Sequence, residues 1–286
     1  MRRTARWLAA GAACALLLAA GARAVRSQHA EAVVEALLQA VQPLGQANEL
    51  ACRDVAAQRP LVLLAIGQSN AGNHGAAGAT PDPPLTMIDG ERCVRAGNPL
   101  PGSTGSEASL WTLLPAALAH AHAGVERPVV IAAIGIEATS VGDWSREGGA
   151  LRQRLLSQLE AMRRAGLPPA LVLWQQGEAD ARQGTSTRDY QHALMALAES
   201  IRAAGLTVPM LLAQSTLCQS APNAEIRRAI ELAPALEPMF RRGPDIDALQ
   251  APGDRRDGCH FSHHGREQAA RLWAASILAA RPAGTP

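Results

Sequence analysis

From residue 60 onward, short unbroken apolar runs alternate with longer amphipathic stretches. "LVLLAI" (61–66), "PVVIAAIG" (128–135), "ALVLWQ" (170–175) and "VPMLLAQ" (208–214) are apolar almost throughout. Runs of that length without alternation predict strands buried on both faces, as in a parallel sheet. Helical periodicity fills the gaps, over about 110–123, 148–165, 187–204 and 224–240, with Thr187 as the N-cap of the third. The last segment, "GREQAARLWAASILAA", puts Ala269, Leu272, Trp273, Ile277 and Ala280 on one helical face. Strand and helix in strict alternation predict a doubly wound α/β domain, here over residues 60–282.

Upstream the pattern changes. "HAEAVVEALLQAV" spaces Val33, Val34, Leu37, Leu38 and Val41 at helical intervals, and Pro43 ends the run, so residues 25–59 are expected to form an N-terminal helical extension. Residues 1–24 have the layout of a signal peptide: "MRRTAR" is basic, "WLAAGAACALLLAAG" is apolar, and Ala22-Arg23-Ala24 fits a cleavage site. The apolar run is shorter than the ~20 residues of a membrane span. Retention as a membrane anchor is the alternative. The expected location is periplasmic or secreted, with a membrane contact only if this segment stays.

Composition adds two constraints. All 27 basic residues are Arg. Removing residues 1–24 takes four of them, leaving 23 against 25 Asp and Glu, with no basic tract to hold a nucleic acid. The same cleavage removes Cys14 and leaves four cysteines, Cys52, Cys93, Cys218 and Cys259, enough for two disulfides in an exported chain.

Polar clusters follow the predicted strands. Gly67-Gln68-Ser69-Asn70 follows the first, Gly135 the second, Gln175-Gln176-Gly177-Glu178 the third and "STLCQS" the fourth; "RRDGCHFSHHG" precedes the final helix. Ligands of doubly wound sheets bind at that edge. Ser69 has the setting of a nucleophile, which needs a base, and equally that of a helix N-cap. Asp257 lies three residues before His260, close enough to fix the tautomer of an imidazole base. The amides of Ser69 and Gly135 with the side chain of Gln176 could supply three oxyanion donors. His260, His263 and His264 together would suit zinc, but no fourth ligand is apparent, and neither metal nor cofactor is expected.

In this order and spacing, the clusters resemble the SGNH hydrolase superfamily, and within it the sialate O-acetylesterase-type branch that includes carbohydrate acetylxylan esterases. The residues that carry the resemblance are Gly67-Gln68-Ser69-Asn70, Gly135, Gln176-Gly177-Glu178-Ala179-Asp180 and Asp257-Gly258-Cys259-His260, spread over about residues 60–280. The resemblance implies a flavodoxin-like, three-layer α/β/α fold. It implies metal-free Ser–His–Asp catalysis that removes acetyl from a sugar hydroxyl. Carried across, Ser69 is the nucleophile, His260 the base and Asp257 its orienter, while Ser69, Gly135 and Gln176 form the oxyanion hole. Gln68, Asn70, Glu178 and Arg256 would support them. The chain departs from the pattern at Gly135-Ile136-Glu137, where relatives commonly carry a Gly-Gly pair.

On this map Glu178 and Asp180 brace the site, Glu178 pairs with Arg255 or Arg256, and Asp245 or Asp247 supports the last loop. Cys218 follows the fourth strand and Cys259 adjoins His260, so a Cys218–Cys259 disulfide is expected, leaving Cys52 with Cys93. Other readings keep the fold and change the activity: a polysaccharide O-acetyltransferase with the same site, or a non-catalytic carbohydrate-binding domain. An α/β-hydrolase would place its serine in Gly-x-Ser-x-Gly after several strands, whereas Ser69 follows the first and Ala71 takes the last glycine position. Sugar specificity would reside in residues 76–109 and the loop after Gly135, with Trp111 and Trp144 either stacking on sugar rings or filling the core.

Overall fold

The computed structural model describes residues 28–45, 48–78, 84–121 and 127–280. The proposed signal segment lies outside them. Helix α1 covers residues 28–39, and strand β1 (Glu49–Leu50) and helix α2 (Cys52–Ala57) follow it. Then come β2 (Leu61–Gly67), β3 (Leu85–Asp89), β4 (Arg92–Ala96), α3 (Leu114–Ala121), β5 (Val129–Gly135), α4 (Val141–Ser145), α5 (Ala150–Arg164) and β6 (Leu171–Gln175). The chain ends with α6 (Glu178–Gln183), α7 (Thr187–Ala203), β7 (Met210–Gln214), α8 (Ala224–Leu232), β8 (Phe240–Asp245) and α9 (His263–Ala280).

One eight-stranded sheet orders these strands β1-β4-β3-β5-β2-β6-β7-β8. From β3 to β8 every neighbouring pair is parallel; only β1 and β4 run against their neighbours. The run β5-β2-β6-β7-β8 has the flavodoxin order. The period of two in each strand explains why every residue of β2 is buried. Val62, Leu64 and Ile66 join Val130, Ala132, Val172 and Leu212 under α5, α7 and α8. Leu63 and Ala65 join Ile131, Leu173 and Leu211 under Trp111, Leu118, Trp273 and Ile277, the side of α3 and α9. Two apolar layers around a central sheet make the three-layer α/β/α sandwich.

Four features differ from the sequence expectation. The helix expected to 240 stops at Leu232, and β8 follows as a further parallel strand, paired with β7. Its sequence, "FRRGPD", lacks the apolar run because it lies at the sheet edge with Arg241 and Arg242 exposed. The β3–β4 hairpin was also missed, although Asp89-Gly90 is a hairpin turn signal, with Gly90 at φ 59°. The N-cap of α7 is Ser186, whose side chain accepts from the Asp189 amide; Thr187 is the first helical residue. The segment before residue 60 is only partly helical, since β1 adds to the sheet beside β4.

That segment is tied to the domain at two places. Gln42 exchanges backbone bonds with Gly102 and Ser103, and its side chain donates to Gly105 O at 2.8 Å. Cys52 is bonded to Cys93 of β4, with Cα atoms 5.2 Å apart. Among the described residues no helix is long and apolar enough to cross a membrane.

Candidate active site

The serine turn begins where β2 ends. Gly67 sits at φ 150°, and a Cβ there would lie 2.0 Å from the Gln175 carbonyl of β6, so only glycine lets β2 and β6 stay paired at this point. Ser69–Ala71 is a single 3-10 turn rather than the head of a helix. Gly72 closes the turn: a Cβ there would lie 3.0 Å from both Gly135 O and Thr104 O. Ser69 is 5% exposed, and its hydroxyl and amide have no hydrogen-bond partner among the described residues. Its surroundings are fixed on every side. Gln175 Nε2 donates to Asn70 O at 3.1 Å and Trp111 Nε1 to Ala71 O at 2.8 Å.

Gln68 and Asn70 connect this turn to the rest of the edge. Gln68 Oε1 accepts from the Ala179 amide at 2.9 Å, in the first turn of α6. Asn70 Nδ2 donates to Glu178 Oε1 at 2.8 Å and to Cys259 O at 3.2 Å. The second bond joins the residue after Ser69 to the residue before His260, and so holds the two loops together.

Asp257 and His260 form a compact pair. Asp257 Oδ2 lies 2.7 Å from His260 Nδ1, while Oδ1 accepts from the amides of His260 at 2.7 Å and Cys259 at 2.9 Å. Partial burial pushes the Asp257 carboxyl up, but the bonds from the His260 ring and the two amides outweigh it and hold the group at about 2. An ionised Asp257 keeps the proton on Nδ1 and leaves Nε2 as the basic nitrogen. The loop is pinned by the Cys218–Cys259 disulfide, Cα to Cα 4.0 Å, and by Arg255, which donates to the carbonyls of Cys259, Leu249 and Ile246 and lies over the Phe261 ring. Asp247 holds the other side of the disulfide, accepting from Thr216 and Leu217 amides at 2.6 and 2.8 Å.

Two of the three expected oxyanion donors are already engaged. The Gly135 amide donates to Ser103 Oγ at 2.8 Å. Gln176 is fully buried; its amide nitrogen donates to Asp180 Oδ2 at 2.5 Å and Thr139 O at 3.1 Å, and its oxygen accepts from Tyr190 at 3.0 Å. Residue type identifies a donor but not whether its hydrogens are spent. Where relatives commonly have Gly-Gly, the left-handed residue of this loop is Ala138, at φ 57°.

The bracing carboxylates lie deeper. Asp180 accepts from the Val141 amide at 2.8 Å and from Thr185 at 2.8 Å; burial raises its carboxyl. Glu178 has no ion pair with either arginine. Its Oε1 accepts from Asn70 and from Ser215 Oγ at 2.9 Å, and Oε2 is buried without a partner. Burial drives this carboxyl up to about 7 against those bonds and the field of Arg255. Arg256 instead pairs with Glu107 at the surface. Trp111 and Trp144 are fully buried, and so pack the core rather than meet a sugar.

One neighbour was not anticipated. His74 stacks on His260, ring centres 5.4 Å apart and planes at 24°. The only sequence signal was a histidine five residues after Ser69.

The fold is that of the SGNH-type hydrolases, and the family match makes the chain a carboxylic ester hydrolase. Residues 60–279 match the family described as carbohydrate esterase, sialic acid-specific acetylesterase, and the chain belongs to it. Among solved structures, a protein of Arabidopsis thaliana aligns with a TM-score of 0.57 at 17% identity, covering 77% of this chain and 98% of that one. A family 3 carbohydrate esterase of Clostridium thermocellum aligns at 0.48 and 13%, over 77% and 96%. A Geobacillus acetyl-xylooligosaccharide esterase aligns at 0.48 and 15%, over 76% and 93%. At 17% identity the first of these likenesses is one of fold. No curated protein sequence matches the chain significantly.

Proposed function

We propose that the chain is an exported serine esterase that removes O-acetyl groups from a carbohydrate through Ser69, His260 and Asp257. The observation that carries this reading is the Asp257–His260 contact of 2.7 Å, held against the serine turn by the bond from Asn70 to Cys259. His260 Nε2 takes the Ser69 proton as Oγ attacks the acetyl carbonyl. The negative carbonyl oxygen is met by the Ser69 amide, the expected donor that is free. The ester C–O bond then breaks, the sugar oxygen leaves with the proton from His260, and acetyl-Ser69 remains. Water, deprotonated by His260, releases acetate and restores the enzyme. Gln176 acts by fixing Thr139, Asp180 and Gln68 beneath the serine turn rather than by contact with the oxyanion.

Export is supported by the charged and apolar layout of residues 1–24 and by the two disulfides, which persist in oxidising compartments. The test is acetate release from acetylated xylan, O-acetylated sialic acid and acetylated bacterial polysaccharides. Ser69→Ala is expected to lower kcat by roughly 10³-fold or more. Retained activity in that variant would refute the serine mechanism. Acetyl transfer to an added sugar in place of acetate release would make the chain a transferase.

A further inference from the structure

No step of the esterase reaction uses His74, although its ring lies against the ring of His260. Its surroundings fix its proton. The Thr104 hydroxyl donates to Gly135 O at 3.2 Å and so presents only its oxygen to other groups. That oxygen accepts from the Glu137 amide at 2.9 Å and lies 3.3 Å from His74 Nε2. The Glu137 carboxylate is 3.6 Å from the same nitrogen. An acceptor oxygen and a carboxylate on one side assign the hydrogen of the neutral ring to Nε2. Gly105, at φ 90°, allows this close approach, since a Cβ there would fall 2.8 Å from Nε2.

Nδ1 is then a bare acceptor. It has no partner among the described residues, and 13% of the side chain is reachable by solvent. Burial lowers the ring's basicity, and the neighbouring His260 and Arg256 lower it further against Glu137 and Glu107, so the acceptor form persists at neutral pH. The site edge therefore holds two carboxylate–imidazole pairs face to face, Asp257–His260 and Glu137–His74. The first handles the oxygen of the scissile ester. A group one ring-stack away can meet a hydroxyl on the adjoining sugar carbon.

We propose that His74 is a substrate-binding residue that accepts, at Nδ1, a hydrogen bond from a free hydroxyl vicinal to the acetylated one, so that the preferred substrates are partly acetylated vicinal diols. The proposal rests on the esterase reading and narrows its substrate class. A site built to bond a hydroxyl disfavours the analogue that lacks it.

Two substrates test it: a methyl glycoside with one acetyl group beside a free hydroxyl, and its deoxy counterpart with the same acetyl group. The wild type is expected to favour the first roughly tenfold in kcat/KM, the worth of one hydrogen bond. His74→Phe keeps a ring against His260 but has no nitrogen, and the ratio is expected to fall toward one, mainly through KM for the hydroxyl-bearing substrate. Equal wild-type rates on the two substrates, or a ratio that survives in His74→Phe, overturn the proposal. Should that variant not fold, His74→Leu, which also lacks an acceptor nitrogen, replaces it with the same two outcomes. If neither substrate yields acetate, the esterase reading fails and this one with it, which is a different outcome from acetate released equally from both.

Discussion

Glu178 links two loops of the candidate site from beneath. It is fully buried, accepts from Asn70 and Ser215, and joins the serine turn to the loop after β7. In the unfolded chain such a carboxyl titrates near 4.5, whereas folding raises it to about 7. The folded state therefore binds this proton more tightly. The resulting stabilisation is fully present below about pH 4.5 and is lost as pH rises through about 7. Glu178→Gln keeps an acceptor oxygen and has no proton to lose. Its melting temperature relative to wild type is thus expected to rise between about pH 5 and about pH 8; a constant difference would show that Glu178 titrates normally. The sequence indicated that Glu178 belongs to the site. It could not indicate the partner, because Asn70, Ser215, Arg255 and Arg256 are all distant along the chain and only folding chooses among them.

The decisive element is the end of β2 and its turn. The apolar run 61–66 predicted the strand, since both faces are covered by helices and no polar position was needed. Gly67 is a requirement of the next layer of structure, the packing of β2 against β6. Gly67→Ala would place a methyl carbon 2.0 Å from Gln175 O and is expected to cost roughly 3 kcal/mol of stability in urea denaturation, as well as lowering activity by displacing Ser69. Near-wild-type stability would mean that the two strands can part here without loss. β8 makes the opposite point. Its polar, proline-containing sequence reads as a loop, and it is a strand only because β7 offers it an open edge.

At the scale of the whole molecule, two disulfides provide a controlled comparison. Each closes a sequence separation of 41 residues, so on the chain-entropy model each contributes about the same stability, about 4 kcal/mol. Their positions differ. Cys52–Cys93 fastens the N-terminal segment to β4, whereas Cys218–Cys259 adjoins His260. Paired Cys→Ser replacements are expected to lower the unfolding midpoint comparably, but only Cys218→Ser with Cys259→Ser should lower kcat strongly. An equal kcat loss in both would show that the second disulfide does not position His260. By itself the sequence determined the strands β2, β5, β6 and β7, the edge at which the polar clusters gather and the Asp257–His260 contact. Those are written locally, in apolar runs and in a spacing of three residues. Only the tertiary structure decided which donors are free, that Gly135 serves Ser103, that Gln176 is enclosed by Tyr190, Thr139 and Asp180, and that His74 lies on His260. Each of those depends on chain segments brought together by the sheet, and a hydrogen bond already made leaves no trace in the residue type.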